Sequence, residues 1–149
     1  MDWSAVRRLW EKWSSHNVGS LGGHPLKAAL LLNYDPNGPS RLVSTIAEQE
    51  GIKAYPSEIS QFLSYVNRNN LSNETFFIAQ REYLVTSIHE NWFCARCLNT
   101  SSKHSGEGAI VMQTSAFLVV GLYEGSIGSA SQAVMAVDQF AAQLSRRNL

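Results

Sequence analysis

Residues 108–124 have the sequence Gly108-Ala-Ile-Val-Met-Gln-Thr-Ser-Ala-Phe-Leu-Val-Val-Gly-Leu-Tyr-Glu124, which predicts the two strands of a β-hairpin. Side-chain polarity alternates over residues 110–114, a pattern typical of a strand with one buried face. Both faces of the second strand are apolar, which predicts that it is covered on both sides. An amphipathic helix is predicted next, from Ser131 to Arg147. A sheet followed by a helix that must lie across it restricts the folds that the chain can adopt.

Composition and charge limit the class of protein. The 149 residues are 44% hydrophobic, which suits one domain, residues 1–149, with a sizeable core. The formal net charge is zero, so no overall field favours nucleic acid or a membrane surface. The first ten residues carry charges where a secretory signal would be apolar, and no apolar run is long enough to span a bilayer. We therefore expect a cytoplasmic protein.

The two cysteines, Cys94 and Cys97, form a lone Cys-Ala-Arg-Cys motif. A structural zinc site needs about four ligands, and the chain offers no second cysteine pair. Residues 92–98 have the pattern of a strand, on which positions three apart point to opposite faces. We expect two reduced, partly buried thiols and no metal site.

The other elements follow from local patterns. A first helix is predicted from Asp2 to about Ser15, with the apolar stripe Trp3, Val6, Trp10 and Trp13. Predicted strands are Leu26 to Asn33, its partner Arg41 to Ser44, Thr75 to Ala79, Glu82 to Ile88 and Asn91 to Leu98, with a middle helix from Tyr55 to Val66. The predicted class is α+β: a central antiparallel sheet with the N- and C-terminal helices on one face and the shorter helix on the other.

Four segments, in this order along the chain, resemble the profilin family of actin-monomer-binding proteins. They are Met1-Asp-Trp3, Lys27-Ala-Ala-Leu-Leu-Leu32, Pro56-Ser-Glu-Ile59 and the block from Thr114 to Glu124. The resemblance implies the profilin fold, a monomer, no enzyme activity and no cofactor. It implies three ligand classes: monomeric actin, proline-rich segments and, in many members, phosphoinositides. The implied role is regulation of actin filament assembly in the cytoskeleton, including sequestration of actin monomers.

The resemblance implies an actin-binding face built from the middle helix, the later strands and the start of the last helix. Arg96 and Lys103 are the favoured contacts, because exposed cations would steer docking on an acidic surface. A solvated sheet face without a partner is the alternative. The matching positions are Ser60, Gln61, Tyr65, Arg81, Arg96, Lys103, His104, Gln113, Ser129, Ser131 and Val134.

The resemblance also implies a cleft for proline-rich ligands between the terminal helices. Trp3 keeps the family residue, whereas Val6, Leu42, Gln143 and Leu149 stand at positions where the family has aromatic or polar partners. We expect binding of such ligands to be weakened. Trp10 and Trp13 offer a substitute platform, although a Trp stripe at helical spacing is more often core.

A phosphoinositide headgroup could be held by Arg7, Arg8 and Lys12 together with Arg146 and Arg147, if the two terminal helices pack side by side. The alternative for Arg146 and Arg147 is that they only stabilise the dipole at the C-terminus of the last helix.

A rival class is a longin or roadblock-like trafficking module that binds a GTPase or coat component. No constellation of nucleophile, base and acid points to an enzyme.

Overall fold

A computed structural model describes residues 3–19, 24–33, 45–49, 75–78, 81–98, 107–114, 117–124 and 129–147. Two helices and seven strands lie within these ranges. The helices are α1 (Trp3–Asn17) and α2 (Ser129–Arg146). The strands are β1 (Ala28–Asn33), β2 (Thr45–Gln49), β3 (Thr75–Ile78), β4 (Arg81–Ile88), β5 (Trp92–Cys97), β6 (Gly108–Gln113) and β7 (Phe117–Tyr123).

All seven strands form one antiparallel sheet in the order β2-β1-β7-β6-β5-β4-β3. Strands β3 to β7 follow one another as a meander, so each pairs with its neighbour in sequence. The long-range pairing is between β1 and β7, with Leu30 opposite Val120. β7 therefore lies between β1 and β6, and residues 117–122 are buried, as its two apolar faces predict.

Both helices pack on the same face of the sheet. Val6, Trp10 and Trp13 of α1 share one buried cluster with Phe140 of α2 and with Val119 of β7. The Trp13 and Phe140 rings stack with centroids 5.0 Å apart. The indole N–H of Trp13 donates a hydrogen bond to the carbonyl oxygen of Ala136 at 2.8 Å, which joins the two helices directly. The predicted packing of both terminal helices on one face is confirmed.

A second buried cluster lies on the opposite face of the sheet and includes Phe76, Tyr83 and Phe93. Because both faces are buried, the prediction that the first strand of the hairpin is half-buried is wrong. Residues 108–112 of β6 are buried throughout, and exposure begins only at Gln113. The polar residues that suggested alternation lie at the end of the strand, whereas its first five residues are small or apolar.

Most predicted boundaries differ from the observed ones by a few residues. α1 continues to Asn17, and α2 begins at Ser129. β1 pairs with Thr45–Gln49, which begins directly after the predicted partner strand, and residues 41–44 lie outside the described ranges. The predicted middle helix, residues 55–66, also lies outside them.

Candidate functional site

One row of residues crosses the sheet beside α2. The cross-strand pairs place Thr75 opposite Leu84, Leu84 opposite Arg96, Arg96 opposite Gly108, and Gly108 opposite Tyr123. We call these five residues the sheet strip. Cys94 and Tyr123 pack against the cluster beneath the helices, and Arg96 lies two residues beyond Cys94 on the same strand. The strip is therefore on the helix side of the sheet.

The strip combines one exposed cation with partly buried apolar side chains. Arg96 is exposed, whereas Leu84 and Tyr123 on either side of it are half-buried. Phe77 shares a face with Thr75 on β3 and is 50% exposed, which makes it one of the few large apolar side chains open to solvent in the described part of the chain. The surface can therefore offer both a charge and apolar area to a partner.

Gly108 makes room for Tyr123. A Cβ atom built at position 108 would lie 2.4 Å from the phenol oxygen of Tyr123 and 2.7 Å from the carbonyl oxygen of Ala95. The Tyr123 ring therefore extends across β6 towards β5. Burial raises the pKa of the Tyr123 phenol, and the nearby Cys94 thiol adds to this shift.

Gly121 sets the distance between α2 and the sheet. A Cβ atom at this position would lie 2.8 Å from a methyl carbon of Val137 and 2.9 Å from one of Leu26. This close packing holds the middle of α2 against β7. Val134 is half-buried and packs on the same cluster as Tyr123 and Cys94. Gly121 and Tyr123 thus have packing roles that account for the Gly-x-Tyr spacing in the quoted block.

Three of the residues that the resemblance implied for actin can be placed on the helix side of the molecule. Arg96 is exposed on β5, Val134 packs on the helix-side cluster, and Ser131 is exposed on α2. Ser129 is the first residue of α2. Gln113 and Arg81 alternate with helix-side residues and lie on the opposite face of the sheet. Ser60, Gln61, Tyr65, Lys103 and His104 lie outside the described residues.

Arg81 belongs to a charged cluster at one end of the sheet that sequence reasoning missed. Its guanidinium forms an ion pair with the buried carboxylate of Glu107. Lys27 lies 3.5 Å from the same carboxylate and 3.3 Å from that of Glu124. Burial lowers the pKa of Arg81, but the charge of Glu107 and hydrogen bonds with Cys97 and Glu107 outweigh it, so the pKa is raised. Glu107 stands in a polar stretch that resembles an ordinary turn, so nothing in the neighbouring sequence indicates a buried ion pair.

Among the described side chains implied for the proline cleft, none offers an exposed aromatic ring. Val6 is fully buried, and Trp10 and Trp13 are each 3% exposed. The interpretation of the two tryptophans as core is therefore confirmed by their burial. Gln143 is half-buried on α2, and Trp3 is the first residue of α1. Leu42 and Leu149 lie outside the described residues.

The cations implied for a phosphoinositide site lie on two helices that contact each other. Arg7, Arg8 and Lys12 are exposed on α1, and Arg146 and Arg147 are exposed at the end of α2. The Nε of Arg146 donates a 3.4 Å hydrogen bond to the carbonyl of Ala142, an interaction that suits a cation near a helix C-terminus.

Cys94 and Cys97 lie on opposite faces of β5, as the strand pattern predicts: Cys94 packs with the helix-side cluster and Cys97 with the other. Both thiols are free. Burial raises the pKa of the Cys94 thiol, and a hydrogen bond with Ser87 offsets part of the shift. Among the described residues, no three potential ligands are grouped around a common metal position.

The sequence profile of the profilin family matches residues 10–149. The chain belongs to the profilin family. Its members are non-enzymatic regulators that bind actin, so the match favours this interpretation over a longin or roadblock-like module. A comparison with curated proteins finds no match. None of the helices in the described ranges is long and apolar enough to cross a membrane.

Solved profilin structures share the fold at low sequence identity. Profilin IA of Acanthamoeba castellanii superposes with a TM-score of 0.67 at 19% identity, covering 94% of this chain and 99% of its own. LokiProfilin1 superposes with a TM-score of 0.68 at 8% identity, covering 96% of this chain and 97% of its own. Rat profilin 2a superposes with a TM-score of 0.66 at 9% identity, covering 100% of both chains. The predicted family and fold class are confirmed.

Proposed function

We propose that this chain binds one actin monomer through the sheet strip and the adjoining start of α2, and that it thereby regulates filament assembly. Membership of the profilin family supports actin as the partner. The observation that carries the site is Arg96, an exposed cation near the end of β5, whose neighbours across the sheet are Leu84 and Gly108. A strand residue in that position projects its charge from the centre of the surface.

The chemistry of the strip supports a protein partner. Binding energy in protein interfaces concentrates in a few residues, with Tyr, Trp and Arg enriched among them. The Tyr123 ring extends over Gly108 towards β5, the strand of Arg96, so one partner can contact both side chains. Phe77 adds exposed apolar area on the same face, at the edge strand β3. Lys103 and His104 stay in the proposal on the resemblance alone, as do Ser60, Gln61 and Tyr65.

A titration with actin monomer tests the site. Arg96→Glu should weaken the complex, because it places an anion in a surface that is proposed to meet acidic groups. Arg8→Glu is a matched control, because Arg8 has the same charge and is exposed on α1, away from the strip. Equal effects of the two reversals would refute a local role for Arg96.

We also propose that proline-rich ligands bind weakly. The burial of Val6, Trp10 and Trp13 supports this, since none of the three can offer a ring or a large apolar surface to a ligand. Trp3 is the remaining aromatic position of the family cleft. Titration of an oligoproline peptide tests the proposal, and tight binding would refute it.

Phosphoinositide binding is proposed for the exposed cations of the two helices, Arg7, Arg8 and Lys12 with Arg146 and Arg147. Each cation near an anionic surface contributes about 1 kcal/mol. Sedimentation with vesicles that contain a phosphoinositide, compared with neutral vesicles, tests this. Retention that is unchanged when Arg7, Arg8 and Lys12 are replaced by Ala would contradict a role for these cations.

A further inference from the structure

We propose that the groove between the end of α1 and the first half of α2 binds an extended, uncharged peptide segment with a backbone N–H at every third residue. This inference concerns a different surface from the proposed actin site and does not depend on it. The groove is open to solvent and has a volume of about 450 Å³. The described residues that line it are Asn17, Pro25, Gln132, Met135, Ala136 and Gln139.

The groove and the implied proline cleft lie at opposite ends of the helix pair. The two helices run antiparallel, because Trp13 bonds to Ala136 whereas Trp10, one turn earlier in α1, packs on Phe140, one turn later in α2. Trp3 is the first residue of α1 and lies about 21 Å along the helix from its last residue. A peptide in the groove would therefore not contact the Trp3 end.

α2 supplies two amide side chains in line along the groove. Gln132 and Gln139 are seven residues apart, almost two full turns, so they lie on the same side of the helix about 10.5 Å apart. Val134, which packs on the cluster beneath the helices, is on the other side. Both glutamines are exposed, and neither amide makes a hydrogen bond within the described part of the chain. Both amides are therefore accessible to a ligand.

The spacing of the two amides matches the repeat of an extended backbone. A glutamine amide carries an N–H donor and a C=O acceptor, as a peptide group does, so it can pair with both groups of a peptide chain. In the polyproline II conformation, equivalent backbone groups recur every three residues, a distance of about 9 Å. One residue of such a segment can therefore bond to Gln132 while the residue three positions away bonds to Gln139.

The rest of the groove selects uncharged side chains. Met135 lies between the two glutamines and is 72% exposed, and its flexible thioether can adapt to different apolar groups. Pro25 and Ala136 add apolar surface. None of the six lining side chains is charged, so a charged ligand side chain would lose hydration without gaining an ionic partner. The groove therefore favours a neutral segment.

The wall formed by the end of α1 is held in place before any ligand binds. The side-chain nitrogen of Asn17 donates a 2.9 Å hydrogen bond to the carbonyl of Trp13, which leaves the Asn17 amide oxygen as an acceptor. The N–H of Leu26 donates to the carbonyl of Asn17, and the N–H of Gly19 donates to that of Leu26, each at 3.0 Å. These bonds hold Pro25 beside the end of α1. A preformed wall lowers the ordering cost of binding.

The test compares two blocked peptides of equal length, one with three repeats of Ala-Pro-Pro and one of proline alone. Both favour the polyproline II conformation, but only the first has an N–H at every third residue. Each is titrated into isotope-labelled protein while nuclear magnetic resonance follows the side-chain amide signals of Gln132 and Gln139. We expect the repeat peptide to shift these signals and to bind roughly fivefold or more tightly than oligoproline, despite its smaller apolar area.

Equal affinity for the two peptides would overturn the proposal, as would unchanged glutamine signals at the highest soluble concentration of the repeat peptide. Changes at the indole N–H of Trp3 without changes at the two glutamines would place the peptide in the implied proline cleft and would also overturn it.

A pair of variants tests the role of the amide. Gln139→Leu should weaken binding of the repeat peptide roughly fivefold, because it keeps the apolar stem and removes the hydrogen bonds. Gln143→Leu is the matched control: it makes the same change one turn further along α2, outside the groove, and should leave the affinity unchanged. Equal losses in the two variants would overturn the proposal. Thermal unfolding verifies that both variants are folded at the temperature of the titration.

A second copy of the chain is the alternative occupant of the groove. Sedimentation of the free protein should show a monomer for both the wild type and Gln139→Leu. Self-association of the wild type that Gln139→Leu abolishes would show that the groove binds another copy, and it would overturn the peptide assignment. None of these measurements contains actin, so their outcome is separate from that of the proposed function.

Discussion

The phenol of Tyr123 lies directly over Gly108, so that a Cβ atom at position 108 would be 2.4 Å from the phenol oxygen. The carbonyl oxygen of Ala95, only 2.7 Å from the same point, is backbone and cannot rotate away. The contact therefore fixes both the position of the ring and the identity of the residue beneath it.

We predict that Gly108→Ala destabilises the protein by about 1–3 kcal/mol, the usual cost of overpacking a tight site. Urea unfolding measures the change in the free energy of unfolding. Gly19→Ala is the matched control, because the atom nearest to its added methyl belongs to the exposed ring of His24, which can move. A loss of stability at Gly19 as large as that at Gly108 would contradict the packing account.

Trp13 is predicted to stabilise the pair of helices and not to bind ligand. Trp13→Phe removes the 2.8 Å hydrogen bond to Ala136 and part of the ring that stacks on Phe140, with an expected loss of about 1–3 kcal/mol. Urea unfolding measures this. The emission of Trp13 should also stay constant while an oligoproline peptide is added. A ligand-dependent change that disappears in Trp13→Phe would show that the ring contributes to a binding site.

Weak or undetectable affinity is predicted for a plain oligoproline peptide. Each lost aromatic contact costs roughly 0.5–1.5 kcal/mol, and the positions of Val6 and Gln143 supply no ring. Any residual binding should depend on Trp3, so the measurement is a fluorescence titration of the wild type and of Trp3→Ala. Tight binding that survives Trp3→Ala would mean that another surface binds the peptide.

Alkaline pH should reduce stability. The pKa values of Tyr123 and Cys94 are both raised in the folded protein, chiefly by burial. Folding therefore favours the neutral forms of both side chains. Their contribution to the free energy of unfolding is fully present below the ordinary pKa values, and it is lost as pH rises through the folded-state pKa values. The unfolding free energy should therefore fall above about pH 9.

Urea unfolding at a series of pH values measures this decline, and Tyr123→Phe should reduce it because the residue no longer titrates. An unfolding free energy that rises between pH 8 and pH 10 would contradict the assignment.

Sequence patterns predicted the elements whose signals are local. The hairpin of β6 and β7 and the amphipathic α2 follow from the spacing of apolar residues within a few turns or strand positions. The stripe of Trp10 and Trp13 likewise predicted which face of α1 is buried. These features depend on neighbours in the chain, which the sequence displays directly.

The features that sequence reasoning missed depend on contacts between distant residues. Glu107 and Arg81 are 26 positions apart, and nothing in either local sequence indicates an ion pair. The burial of β6 depends on its place at the centre of a seven-stranded sheet. The separation of Gln113 from Arg96 depends on strand register, which determines the face to which each side chain points.

The central claim is that Arg96 lies in the actin-binding surface. It is tested most directly by titrating actin monomer with the wild type and with the Arg96→Glu, Lys103→Glu double variant at low and physiological ionic strength. We predict that wild-type affinity increases at low salt, and that the double variant binds more weakly, mainly through a slower association rate, without this increase. Unchanged affinity and unchanged salt dependence in the double variant would contradict the account.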